Sequence, residues 1–115
     1  MYNIENDTEN KKLIFTFNGL MLMDEGNLFI KDMVKVIKEI VPRDYILVID
    51  AKEMKPFMQE SISDFREALK FFLSVGFKNI YLIAPESLIA HNQCKRIMIE
   101  IGFNRVYINS PDEAV

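Results

Sequence analysis

The pattern that most restricts the fold of this chain occurs twice. "GFKNIYLIAPE" begins at Gly76 and "GFNRVYINSPD" at Gly102, so the two glycines stand 26 residues apart, as do Pro85 and Pro111. Each copy reads as a joint between a helix and a strand. The glycine ends the helix in the left-handed conformation, and the phenylalanine after it packs back onto the last turn. An apolar strand follows, and the proline stands where the next helix begins. Two copies are too few for a solenoid, which needs at least three repeats. They are consecutive joints of one α/β sheet, in which strands alternating with helices run parallel with right-handed crossovers.

The other segments complete that layout. "YNIE" alternates apolar Tyr2 and Ile4 with polar residues, "NDTEN" is a turn cluster, and "KKLIFTFNG" sets Leu13, Phe15 and Phe17 on one face, so the chain opens with a hairpin that closes at Gly19. From Asn27 to Val41 the period changes. Ile30, Met33, Val34, Ile37, Ile40 and Val41 fall at three- and four-residue steps, which predicts a helix with one buried face that Pro42 stops. "DYILVID" does not alternate, which predicts a strand covered on both faces and ending on Asp50. A second helix carries Phe65, Ala68, Leu69 and Phe72 on one stripe. "NIYLIA" is the next strand, a third helix has Ala90, Cys94, Ile97, Met98 and Ile101 as its stripe, and "RVYIN" is the last strand. The expected fold is one α/β domain over residues 1–115: a mixed sheet of about five strands (a hairpin, then parallel strands), three main helices and a short C-terminal turn.

Composition narrows the function. Half of the residues are hydrophobic and 27% are charged, which supports a real core and argues against disorder. The net charge of −3, and basic residues that are scattered without interleaved aromatics, argue against nucleic acid as a partner. One cysteine, Cys94, excludes an internal disulfide and suits a reducing compartment. "MYNIENDTENKK" has no basic stretch followed by an apolar run, and "YILVI" is far shorter than the ~20 residues of a membrane helix. The expectation is a soluble cytoplasmic protein with no membrane span.

No constellation of catalytic residues stands out. His91 and Cys94 are three apart on the third helix, but two ligands are not a metal site, and Cys94 falls on the apolar stripe. The four glycines form no phosphate loop. No catalytic residue, metal or cofactor is therefore expected. Asp50, at the carboxyl end of a central strand, stands where open α/β sheets gather ligands, but without a second acid its expected task is to accept backbone N–H groups and shape the loop. Ser61 opens "SISD", whose spacing to Asp64 approximates a capping box, so Ser61 is expected to cap the second helix. Met21 and Met23 follow the second strand, and Met54, Phe57 and Met58 follow the third. If those strands are parallel neighbours, the five soft side chains gather at one sheet edge, either as an adaptable binding surface or as a cap on the core.

Hairpin, helix, strand, helix, strand, helix, strand, with Gly19 closing the second strand, "ILVIDAKEM" as the third strand and its exit, and "GFNRVYINSPDEAV" at the end, resembles the STAS superfamily, the sulfate-transporter and anti-sigma-factor-antagonist domain, across nearly the whole chain. The resemblance implies a non-enzymatic regulatory module that binds a protein, either a kinase-like or sigma-pathway component or a second copy of itself. It also implies a phosphoacceptor after the third strand, in a "D-[ST]-[ST]-G" segment. Here Met58 and Gln59 stand near the Asp-Ser pair of that segment, no glycine follows, and the candidate acceptors Ser61 and Ser63 are displaced. The module is therefore expected to lack the usual phosphoserine switch. Relatives of the fold include lipid-binding forms, so the alternative is a carrier that holds a small apolar ligand in a pocket at the same loops.

Overall fold

Leu13, Phe15, Leu47, Ile49 and Leu82 are all within 1% of full burial, and they lie on one face of a single sheet. In a computed structural model of the chain, residues 1–20, 23–103 and 106–115 are described. The strands are β1 (Tyr2–Asp7), β2 (Lys12–Gly19), β3 (Ile46–Met54), β4 (Asn79–Ile83) and β5 (Val106–Tyr107), and they lie side by side in chain order. β1 pairs antiparallel with β2, and every later pair is parallel. The crossovers are the helices α1 (Met23–Lys38), α2 (Ile62–Val75) and α3 (Leu88–Ile101). Successive parallel strands added at the same edge, joined by right-handed crossovers, put all the crossover helices on one face. Phe29 and Met33 of α1, Leu69 and Phe72 of α2, and Cys94, Ile97 and Met98 of α3 accordingly share one core. Among the described residues no helix is long and apolar enough to cross a membrane.

"DYILVID" is covered on both faces, by different means. Leu47 and Ile49 point to the helices, while Ile46 and Val48 meet Ile83, Ile108 and Ala114 on the other face. The C-terminal segment is held there by a short 3-10 turn, Pro111–Glu113. The Glu113 carboxylate accepts the N–H groups of Asn109 and Ser110, both at 2.8 Å, Lys12 Nζ donates to the Pro111 carbonyl (3.1 Å), and Tyr81 donates to the Val115 carbonyl (2.6 Å). Ala114 is thereby fully buried.

The repeated joints have the expected backbone. Gly76 and Gly102 follow α2 and α3 with φ of 90° and 70°. The Phe103 N–H bonds back to the Met98 carbonyl (2.9 Å), and the Phe103 ring is buried, the hydrophobic return that usually closes such an end. The prolines differ. Pro111 is the first residue of its 3-10 turn, whereas Pro85 lies ahead of α3, whose start is capped by Ser87 accepting the Ala90 N–H (3.3 Å).

β1 runs on through Asn6 and Asp7 of the expected turn cluster, and α1 and β3 depart further from the sequence expectation. α1 spans Met23–Lys38 rather than Asn27–Val41, and its buried side is centred on Phe29, while Ile30 is 41% exposed. The reason is aromatic: the Phe29 ring meets Tyr2, Phe15 and Phe17 at 5.0 to 5.3 Å in edge-on contacts, and such pairs stabilise beyond their buried area. β3 continues past Asp50 to Met54. An irregularity in β2 between Thr16 and Asn18 shifts its register, so Asn18 and Gly19 pair with Glu53 and Met54 and the strand is extended.

Candidate functional site

The extension of β3 decides the fate of the methionine and phenylalanine cluster. Met54, expected in a surface loop, is only 5% exposed and belongs to the core, because a strand residue paired with Gly19 turns its side chain toward the helices. Met21 lies outside the described residues. Met23 begins α1, and its side chain also lies outside them. Met58 is 44% exposed. Phe57 is half-buried, and its ring leans on Phe65 of α2 with centroids 4.6 Å apart. The expected surface patch is thus divided: Met54 in the core, Phe57 folded inward, Met58 outside.

What these residues border is a cleft between α1 and α2. Its floor is Ile49, Met54 and Phe17 of the sheet. Phe29 and Ile30 stand on the α1 side, Phe65, Ala68, Leu69 and Phe72 on the α2 side, and Phe57 is at the loop end. Its volume is about 120 Å³. The few polar side chains in its wall are Asn27, Ser61 and Asp64.

The loop that carries Phe57 is tied to α3. The Phe57 N–H donates to Gln93 Oε1 (2.8 Å), and Gln93 Nε2 donates to the Phe57 carbonyl (3.2 Å). One amide side chain thus satisfies both backbone groups of a half-buried residue that belongs to no helix or strand, and such groups are costly when left unpaired.

Ser61 does not cap α2. The chain enters the helix through a 3-10 turn, Gln59–Ser61, and Ser61 is already in helical backbone conformation (φ −88°, ψ −15°) with no side-chain cap bond. A capping hydroxyl needs an extended backbone at its own residue, so the capping box expected with Asp64 does not form. Ser61 is half-buried in the cleft wall, and Ser63 is exposed in the first turn of α2. Asp50 accepts the Lys52 N–H (3.1 Å) within the strand extension. The Cys94 thiol, buried on the α3 stripe, is pushed up to about 12 by loss of hydration, which leaves it protonated and unreactive at neutral pH. The ring of His91 lies 6.0 Å from that of Tyr107. Among the described residues no three metal-ligating side chains converge.

Gln93, Phe17 and Phe65 were not singled out from sequence as site residues. Phe17 and Phe65 lie on the apolar stripes that predict core, and a cleft between two helices draws on core stripes. Gln93 carries no local signal, because its partner is 36 residues away.

No protein-family model and no curated protein sequence matches the chain. Solved structures do. The anti-sigma factor antagonist SpoIIAA in its unphosphorylated form superposes with a TM-score of 0.62 at 10% identity, over 98% of this chain and 92% of that one. An uncharacterized protein of the DUF3478 family with a SpoIIAA-like fold, from Shewanella loihica PV-4, superposes with a TM-score of 0.67 at 15% identity, over 99% and 89% of the two chains. The chain therefore has the STAS-like fold.

Proposed function

We propose that this STAS-like domain is a non-enzymatic regulatory module of the cytoplasm that binds a protein, and that the cleft between α1 and α2 receives an apolar anchor from that partner. The observation that supports this reading is the size and lining of the cleft. Pockets that hold whole small molecules run to roughly 300–1,000 Å³, and a cavity of about 150 Å³ holds a benzene ring. A cleft of about 120 Å³ walled by phenylalanine, methionine and leucine suits one apolar side chain. Interfaces concentrate their energy in such anchors seated in dry pockets. Met58 and Ile30, both more than 40% exposed, offer apolar surface beside Phe57 and in the α1 wall for the flanking contact.

The partner class follows by analogy with the structural neighbour whose name marks it as an antagonist of an anti-sigma factor: a kinase-like or sigma-pathway protein. In this reading the association needs no phosphoserine. Ser61 is half-buried in the wall of the cleft, where a phosphate would meet the carboxylate of Asp64 beside aromatic rings.

The concave, apolar form of the cleft also favours a second reading, a carrier of a small apolar ligand. Native mass spectrometry of the purified protein separates the two. A stoichiometric small molecule released on unfolding would establish the carrier. A ligand-free protein that binds a partner, and loses that binding when Ile30→Asp puts a charge in the cleft wall, supports the regulatory module. Binding untouched by Ile30→Asp would remove the cleft from the interface.

A further inference from the structure

The sheet has β5 at one edge, described over Val106 and Tyr107, and β1 at the other. β1 runs for six residues, YNIEND, with no proline, no lysine and an unbroken register to β2, and of the usual safeguards against edge pairing it carries only charge, on Glu5 and Asp7. Among the described residues nothing pairs with its outer side.

The direction of each backbone group on β1 follows from one pair. The Asn18 N–H donates to the Met1 carbonyl (2.7 Å), and the Met1 amino group donates to the Asn18 carbonyl (2.8 Å). Bonded and non-bonded pairs alternate along an antiparallel ladder. In the observed register Asn3, Glu5 and Asp7 therefore bond inward to Thr16, Ile14 and Lys12, while Tyr2, Ile4 and Asn6 turn their N–H and C=O groups outward.

We infer that β1 is a self-association edge, at which two copies of this chain join their β1 strands antiparallel about a two-fold axis at Ile4. That register sets Ile4 against Ile4 and Tyr2 against Asn6 in both directions, so every outward-facing residue of the strand meets another outward-facing residue and the orphaned groups satisfy one another. On the face away from the helices it sets exposed Asn3 opposite exposed Glu5 of the other copy, twice, as amide against carboxylate. Moving the axis to Glu5 would oppose two Glu5 carboxylates, and like charges directly opposite are destabilising. Beside the edge runs an open groove walled by Tyr2 and Ile4 and by Asp32, Lys35, Val36 and Glu39 of α1, so the α1 wall that would face the second copy carries both signs of charge. A strand-to-strand joint is a small interface, and the dimer is correspondingly weak.

Sedimentation velocity of the whole protein from micromolar to millimolar concentration tests this. The wild type should pass from monomer to dimer, with no larger species, because the joint consumes both copies of the edge. Asn3→Lys puts an opposite charge against Glu5 at two places and should tighten the dimer several-fold, and Asn3→Glu should loosen it by a similar factor. Residue 3 is exposed and faces neutral Thr16 within its own sheet, so both variants should melt like the wild type. Ile4→Pro, which deletes an outward N–H from the ladder and also trims a side chain partly packed on the core, should abolish the dimer in a protein that melts somewhat lower but remains folded by circular dichroism. A wild type that stays monomeric throughout overturns the inference, whether or not β1 pairs with an extended segment of another protein. So does a dimer indifferent to the sign of the charge at residue 3.

Discussion

Gln93 and Phe57 are joined by two hydrogen bonds, with the side-chain amide of one matched to the backbone N–H and C=O of the other. α3 thereby holds the loop between β3 and α2, and with it the aromatic ring that borders the cleft. Gln93→Leu removes both bonds at once. At about 1 kcal/mol for each half-buried bond, the loss should be about 2 kcal/mol in urea denaturation. Amide exchange at Phe57 should accelerate in the same variant. Unchanged exchange there would mean that the loop is held by something other than Gln93.

Met54 and Met58 are four residues apart and should respond in opposite ways. Met54→Ala empties a core position and should cost about 3 kcal/mol of stability. Met58→Ser should alter stability by no more than about 0.5 kcal/mol, as for most surface changes, while weakening association with a partner. Equal losses of stability in both variants would contradict the extension of β3 to Met54.

The serines that precede α2 and α3 differ in the same manner. Ser87→Ala deletes an N-cap that accepts the Ala90 N–H and should lower stability by about 1 kcal/mol. Ser61→Ala deletes no cap bond and should leave the melting temperature within error of wild type. A clear loss on Ser61→Ala, comparable with that of Ser87→Ala, would restore the capping role that the spacing to Asp64 suggests.

Tyr2 donates its phenol to Asp32 and so fastens β1 to α1. That bond, with the nearby carboxylates, raises the Tyr2 phenol from 10.0 to about 12. Because the folded value lies above the unfolded one, the contribution is complete below about pH 10 and is lost as the pH rises toward about 12. Ultraviolet titration should show the Tyr2 phenolate forming late, and Asp32→Asn should bring it back toward the ordinary range. A Tyr2 that already titrates normally in the wild type would sever the contact.

Much of this architecture was legible in the residues because the forces that specify it are local. A left-handed position favours glycine, so Gly76 and Gly102 mark the ends of α2 and α3 wherever the helices go. The 3.6-residue stripes on α2 and α3 identify their buried sides because a helix face is set by its own geometry. Relations between distant segments were not legible. Whether β3 stops at Asp50 or runs on to Met54 depends on a register shift in β2, more than thirty residues earlier, that lends it further partners. Which turn of α1 is buried depends on three aromatic rings presented by the hairpin. The cleft exists only because α1 and α2 stand apart over Ile49 and Met54, and Gln93 meets Phe57 only because α3 packs beside them. Periodicity reports the direction in which a side chain leaves its own backbone; what it meets there is decided by the packing of the whole chain.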